Sequence, residues 1–249
     1  MIPLALFTVG IAVLGGYFVL MSRYAQATAP SQQRQYLVLF VLGLGLELAG
    51  FLPSPQWFGN NYRFLANMLE FLLITSIAPP LLLLGLPKPF RERLTASGAW
   101  HGYLLAPQHA FLGANALFLG WHLPPAFEAA SADLHLWLVK ETVLLFAGLW
   151  VWLPILGSLQ PWSRIGFLGQ ILYMFLLSIP TTILGALFTF APGLVYNARS
   201  LAFELCAPAS PLDQQLGGLL MWQGTMFVNL GALSIIFFKW HQTADAAHV

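Results

Sequence analysis

The sequence contains little charge. Only 8% of its 249 residues are Asp, Glu, Lys or Arg, whereas a typical soluble domain carries about 25%. The formal net charge is +1 and no long basic tract occurs, which argues against nucleic acid as a partner. Hydrophobic residues make up 58% of the chain, and the mean hydropathy is +0.74. This composition predicts a membrane protein that crosses the lipid bilayer several times.

Cysteine is almost absent as well. Cys206 is the single cysteine, which excludes an intrachain disulfide and a paired-thiolate copper or zinc motif. The sequence also contains no nucleophile with an adjacent base and no glycine-rich loop that would cradle a phosphate. We therefore predict no catalytic residue and expect a protein that is not an enzyme.

Long apolar runs are abundant. A helix needs about 20 apolar residues to cross roughly 30 Å of hydrocarbon, and the runs near this length number seven. They cover residues 2–21, 36–53, 65–86, 104–122, 134–155, 166–191 and 216–238. No Lys or Arg precedes Arg23, so the first run is interpreted as an uncleaved helix and not as a signal peptide. The sequence therefore predicts one all-α domain, residues 1–249, with seven transmembrane helices.

The basic residues of the loops predict the orientation, because short cytoplasmic loops are enriched in Lys and Arg. One side of the predicted bundle carries seven of them: Arg23, Arg34, Lys88, Arg91, Arg93, Arg164 and Lys239. The other side carries two, Arg63 and Arg199. This asymmetry predicts an N-terminus outside and a C-terminus in the cytoplasm.

Four ionisable residues interrupt the apolar runs: Glu47, Glu70, Lys140 and Glu141. An uncompensated charge in hydrocarbon costs at least about 2.5 to 3.5 kcal/mol, so such residues usually face the bundle interior and mark a functional site. With a rise of about 1.5 Å per residue, all four fall at a similar depth in the outer half of the bilayer. Lys140 is then the natural counter-charge for Glu70 or Glu47.

Possible metal ligands lie in the same half of the predicted bundle. His122 ends the fourth run and His135 begins the fifth, so both imidazoles are expected above the charged residues. Imidazole and carboxylate suit divalent copper or zinc, and the thioethers of Met68 and Met221 suit cuprous ion. The alternative is structural: the charges lock the bundle, the methionines fill the core, and the histidines anchor the membrane interface.

Several motifs point to one family. In chain order they are the run PPLLLLGLP at 79–87, the sequence Trp121-His122-Leu123-Pro124, the helix-opening His135, and the run DQQLGGLLMW at 213–222, which contains Asp213, Gln214, Gly218 and Trp222. Together they resemble the caa3-type CtaG family, whose members are seven-span factors for cytochrome c oxidase assembly. The resemblance covers about Asn67 to Trp222.

The resemblance implies a role in maturing a haem–copper oxidase, around its copper centre and from the extracytoplasmic side of a bacterial inner membrane. Oxidase subunits would be the partners and a copper ion the transient ligand, held by His122, His135, Glu70, Met68 and Met221. Family members often carry further histidines early in the third and fifth spans. Here those positions hold, among others, Asn67, Phe71 and Lys140.

These departures leave other functions open. A non-catalytic accessory subunit would keep the fold, lose copper ligands and stay bound to a respiratory complex. The buried carboxylates alone would also fit a small transporter or a proton-relay protein.

Overall fold

The computed structural model describes residues 2–51, 61–96, 106–156, 165–196 and 208–246. Within these ranges every regular element is helical and no strand occurs, so the predicted all-α class is confirmed. The helices are α1 (Ile2–Tyr24), α2 (Pro30–Gly50), α3 (Arg63–Leu72), α4 (Ala78–Gly85), α5 (Lys88–Ala96), α6 (Pro107–Trp121), α7 (Pro124–Ala132), α8 (Leu134–Leu156), α9 (Phe167–Phe190), α10 (Pro211–Leu219) and α11 (Thr225–Ala246). Cys206, Arg164 and Arg199 lie outside the described residues.

Two π-helical turns make long helices from short ones. Leu73–Ile77 joins α3 to α4, and Leu220–Gly224 joins α10 to α11. A π turn inserts an extra residue into the helical hydrogen-bonding pattern and often occurs at functional sites. The expected third and seventh spans are therefore continuous helical rods that each contain one such irregularity.

Five helical stretches of the described chain are long and apolar enough to cross a membrane: Leu6–Ala27, Arg63–Gly85, Leu134–Leu156, Phe167–Phe190 and Pro211–Gln242. They match five of the seven predicted runs. The other two runs correspond to α2 and α6. Helix α2 opens with the polar residues Ser31, Gln32, Gln33 and Arg34, and α6 has 15 residues, which give it a length of about 22 Å.

Glycines bring two pairs of helices into backbone contact. A Cβ atom on Gly85 of α4 would lie 2.5 Å from the backbone nitrogen of Phe40 in α2. A Cβ atom on Gly218 of α10 would lie 2.7 Å from the carbonyl oxygen of Gly185 in α9. Neither distance admits a side chain. Such close approach is the usual means of helix association in a bilayer, where lipid is as apolar as the helix surface.

Asp213 fixes the start of α3 against the start of α10. Its carboxylate accepts hydrogen bonds from the backbone N–H groups of Phe64 (3.0 Å), Leu65 (2.9 Å) and Ala209 (2.9 Å). The first N–H groups of a helix have no partner within it, so an external acceptor stabilises its beginning. We call this end of the bundle the Asp213 end.

An aromatic core fills the Asp213 end. Phe127 of α7 stacks on Tyr196 with ring centroids 4.0 Å apart, and Phe64 contacts the edge of Phe188 at 5.2 Å. The Tyr196 hydroxyl donates a hydrogen bond of 2.9 Å to the carbonyl oxygen of His122. The last turn of α6, helix α7 and the end of α9 are thereby held beside the start of α3.

Candidate functional site

Six polar side chains from four helices form a buried layer next to this aromatic core. They have relative exposures of 1–6% and are Glu47, Asn67, Glu70, His122, Lys140 and Glu141. We call them the polar layer. Helices α2, α3 and α8 supply five of its members, and the residue that ends α6 supplies the sixth. The structure thus brings together the four charged residues and one of the two histidines that the sequence singled out.

Lys140 and Glu141 are neighbours in sequence and form an ion pair, with 2.8 Å between Nζ and Oε1. The pair is buried, with the side chains 4% and 1% exposed. Nζ also lies 5.5 Å from the centroid of the Phe127 ring, which places the cation within reach of a cation–π interaction. The sequence had predicted Glu70 or Glu47 as the partner, and the structure adds Glu141 to the interactions of Lys140.

The other two carboxylates differ in their contacts. Asn67 donates a hydrogen bond of 3.1 Å from Nδ2 to Oε2 of Glu70, and its amide is also a neighbour of Glu141. The oxygens of Glu47 have no hydrogen bond among the described residues, and the charge of Glu47 interacts unfavourably with that of Glu141. The layer therefore contains three carboxyl groups and one ammonium group.

His122 is held in a defined orientation. It follows the last residue of α6, and its Nδ1 lies 2.8 Å from the carbonyl oxygen of Phe118. A carbonyl can only accept, so Nδ1 carries the proton of the neutral ring and Nε2 carries the lone pair. The ring packs against Phe118 at 4.7 Å and against Phe71 at 5.5 Å. Metal-binding histidines typically show the same hydrogen bond from their second ring nitrogen.

His135 has a different environment. Its side chain is 91% exposed, and Nδ1 lies 3.6 Å from Oδ1 of Asp133. The Asp133 carboxylate accepts from the backbone N–H groups of Leu136 (3.0 Å) and His135 (2.7 Å) at the start of α8. Those backbone hydrogen bonds, first from Leu136 and then from His135, hold the pKa of Asp133 below its usual value. One histidine is thus a buried, oriented acceptor and the other a surface residue.

The two methionines are entirely buried. Met68 and Met221 belong to the same core cluster, together with Phe71 and Phe118, on which His122 packs. Met68 also faces Gly217, where an added Cβ would lie 3.2 Å from its Cγ. Among the described residues, no group of three or more His, Cys, Asp or Glu side chains is arranged to hold a metal ion. A metal bound here would need the thioethers in its ligand set.

A family model described as cytochrome c oxidase caa3 assembly factor (Caa3_CtaG) matches residues 15–243. The chain belongs to this family. The match confirms the resemblance found in the motifs and extends it from the segment 67–222 to nearly the whole chain. No curated protein and no solved structure matches the chain.

The motifs that carry the resemblance to Caa3_CtaG have structural roles. Asp213 caps α3, and Gln214 accepts from the backbone N–H of Val195 (2.7 Å) and donates to the carbonyl oxygen of Gly193 (3.1 Å). Gly218 permits the contact of α10 with α9, where the side chain of Trp222 covers Gly185. These motif residues join the start of α10 to the rest of the bundle.

The second motif turns the chain at the Asp213 end of this Caa3_CtaG protein. Trp121 ends α6 and packs against the aromatic core, and His122 and Leu123 lead to Pro124, which begins α7. Proline suits the first position of a helix because its missing N–H would have no partner there. Tyr196, which anchors His122, was not found from the sequence, because the two residues are 74 positions apart and no local pattern signals their contact.

Proposed function

We propose that this Caa3_CtaG protein supports maturation of the copper centre of a haem–copper oxidase, working from the extracytoplasmic side of a bacterial inner membrane. In this proposal α2 and α6 complete a bundle of seven spans, and the Asp213 end faces outwards. His122, Met68, Met221 and Glu70 would be transient ligands of a copper ion within the bundle. His135 would meet the ion at the surface.

The orientation of His122 carries the proposal. A buried imidazole whose Nδ1 proton is donated to the carbonyl oxygen of Phe118 presents Nε2 as a ligand of fixed position. Imidazole and thioether together suit cuprous ion, whereas carboxylate and imidazole suit the divalent ion. Met68 and Met221 share the core on which the His122 ring packs. The donor chemistry therefore favours copper in its reduced state.

The balance of charge also supports a cation. Glu47, Glu70 and Glu141 face one buried ammonium, that of Lys140. If all four were ionised, the polar layer would carry two negative charges in excess, and buried charge must be neutralised by protons or by a bound cation. The layer therefore has carboxyl groups that can exchange protons for a positive ion.

The test compares His122→Phe, His135→Phe and the double variant in a host that depends on the client oxidase. Under copper limitation we expect the variants to lower both the activity and the copper content of the oxidase. Added copper should partly restore the activity. Phe keeps the aromatic contacts of His122 with its neighbours, so abundance of the protein should change little. His241→Phe, an exposed position in the last turns of α11, is the matched control and should leave activity unchanged.

A second function, a permanent accessory subunit of a respiratory complex, is favoured by one observation. Lys140 lies beside His122, and its positive charge opposes a cation at that ring. Under this alternative the histidine variants would lower oxidase activity and protein abundance together, whatever the copper supply. Stoichiometric oxidase subunits in the purified native complex would support the accessory function, whereas substoichiometric capture with copper would support the assembly factor.

A further inference from the structure

A second polar region lies deeper in the bundle, separate from the polar layer. It is a cavity of about 70 Å³ between α3, α6, α8, α9 and α11. Six polar side chains line it among apolar ones: Thr75, Ser76, Asn115, Thr181, Thr225 and Asn229. The rings of Phe71 and Phe118 lie between this cavity and His122, since both line the cavity and both pack on the imidazole. None of the six lining polar residues belongs to the proposed copper site.

The Thr75 and Ser76 hydroxyls share a hydrogen bond of 3.2 Å, and the other hydrogen bonds around the cavity leave acceptor oxygens available. Thr75 donates to the carbonyl oxygen of Phe71 (2.7 Å), Thr225 to that of Met221 (2.6 Å) and Thr181 to that of Ser178 (3.1 Å). Asn115 likewise donates from Nδ2 to the carbonyl oxygen of Phe111 (2.8 Å). Each of these lining residues therefore uses a hydrogen on its own helix and keeps oxygen lone pairs for a guest.

One donor completes the lining. Asn229 is 6% exposed, and its Nδ2 has no hydrogen-bond partner among the described residues. An unsatisfied buried amide is unfavourable, and a guest with an acceptor oxygen would satisfy it. The cavity thus offers several acceptors and one donor, and a molecule that both donates and accepts satisfies it.

Both π turns border the same cavity. Thr75 and Ser76 belong to the turn Leu73–Ile77, and Thr225 directly follows the turn Leu220–Gly224. Irregular helices within a membrane are tolerated where side chains and ordered waters satisfy the freed backbone groups. At both turns a threonine hydroxyl satisfies a backbone carbonyl, Thr75 that of Phe71 and Thr225 that of Met221, which places polar side chains on both sides of the cavity.

We propose that this cavity is a hydration site between the helices that binds a cluster of two or more water molecules. A water needs about 10 to 15 Å³ of such volume and two to four polar partners, and the cavity supplies both. Water donates to the threonine and Asn115 oxygens and accepts from Asn229. This hydration site does not depend on copper and is separate from the proposed copper site.

Hydroxyl-radical footprinting of the full-length protein in lipid nanodiscs tests the proposed hydration site. Radicals formed from bound water modify the side chains beside that water. Trp152 lines the cavity and is 4% exposed, whereas Trp137 is 1% exposed and packs in the aromatic core. We expect Trp152 to be modified at least five-fold faster than Trp137. Trp240, which is exposed, sets the upper limit of labelling.

Two variants of α11 remove polar groups from the cavity lining, and a third variant in the same helix is the control. Asn229→Leu and Thr225→Val should bring the rate of Trp152 close to that of Trp137, whereas Ser234→Ala, at an exposed position of α11, should not change it. Equal slow labelling of Trp152 and Trp137 in the wild-type protein would overturn the proposal, even if the variants fail to fold. Unchanged Trp152 labelling in folded Asn229→Leu and Thr225→Val variants would overturn it as well.

Discussion

The carboxylate of Asp213 accepts a hydrogen bond of 3.0 Å from the backbone N–H of Phe64, across 149 positions of the sequence. The same carboxylate also binds the N–H groups of Leu65 and Ala209. One fully buried side chain thus holds the beginnings of α3 and α10 together. Since α3 carries Asn67 and Glu70, this contact also sets the position of the polar layer.

Asp213→Ala should be strongly destabilising. It leaves three N–H groups without their acceptor, and the buried one, that of Phe64, alone costs about 1 to 3 kcal/mol. Asp213→Asn keeps one carbonyl oxygen and should lose less. Thermal unfolding of the purified proteins in detergent measures their stability. We expect the unfolding temperature to be highest for the wild type, lower for Asp213→Asn and lowest for Asp213→Ala. A variant Asp213→Ala as stable as wild type would show that the capping interaction is dispensable.

Gly218→Ala should disrupt the contact of α10 with α9. The added methyl group would lie 2.7 Å from the Gly185 carbonyl oxygen, and the helices would have to separate at a cost of about 1 to 3 kcal/mol. Gly231 of α11 has no atom within 4 Å of an added Cβ, so Gly231→Ala is the matched control and should be neutral or slightly stabilising. Equal unfolding temperatures for the two variants would contradict the close helix contact.

Lys140→Met should lower the yield of folded protein in the membrane, because it leaves the buried Glu141 carboxylate without its counter-charge at a cost of about 3 to 5 kcal/mol. The double variant Lys140→Met with Glu141→Gln should recover part of the loss. Lys88 pairs with Glu92 at 3.7 Å on the exposed surface, where ion pairs contribute little, so Lys88→Met serves as the control. A double variant that folds no better than the single one would reject the ion pair as the cause.

The proposed orientation predicts where reporters function. A reporter active only in the cytoplasm should work when it is fused after Lys239 or within the segment 88–93. It should be silent when it is fused near Phe127 or Ser210, both of which lie at the Asp213 end. The opposite pattern would invert the membrane orientation and place the Asp213 end in the cytoplasm.

The sequence was most informative about the helices and the positions of buried charge. The length of an apolar run identifies a membrane helix because each residue that faces the hydrocarbon must be apolar and the helix must cross its full thickness. The run at 134–155, for example, corresponds to α8 with a difference of one residue at its end. Four motifs together, of which the run around Asp213 is the last, indicated the family that the whole-chain match then confirmed.

The polar layer shows where prediction from the sequence stopped. Depth along each helix placed Glu47, Glu70, Lys140 and Glu141 at one level, but depth does not determine which neighbours touch. The ion pair of Lys140 with the adjacent Glu141 depends on the rotation of α8 about its axis. Likewise, the imidazoles of His122 and His135 were both expected above the charged residues, and the structure buries the first while it leaves the second on the surface.

By itself, the sequence determined the helical class, the spacing of the apolar segments and the family, because these depend on composition and on short motifs. Only the tertiary structure revealed the cap that joins Asp213 to α3, the orientation of His122 and the cavity around Asn229. The physical reason is that each of these features joins helices far apart in the chain. Their contacts depend on how the helices rotate and cross, and close glycine contacts such as that of Gly218 with Gly185 fix those crossings.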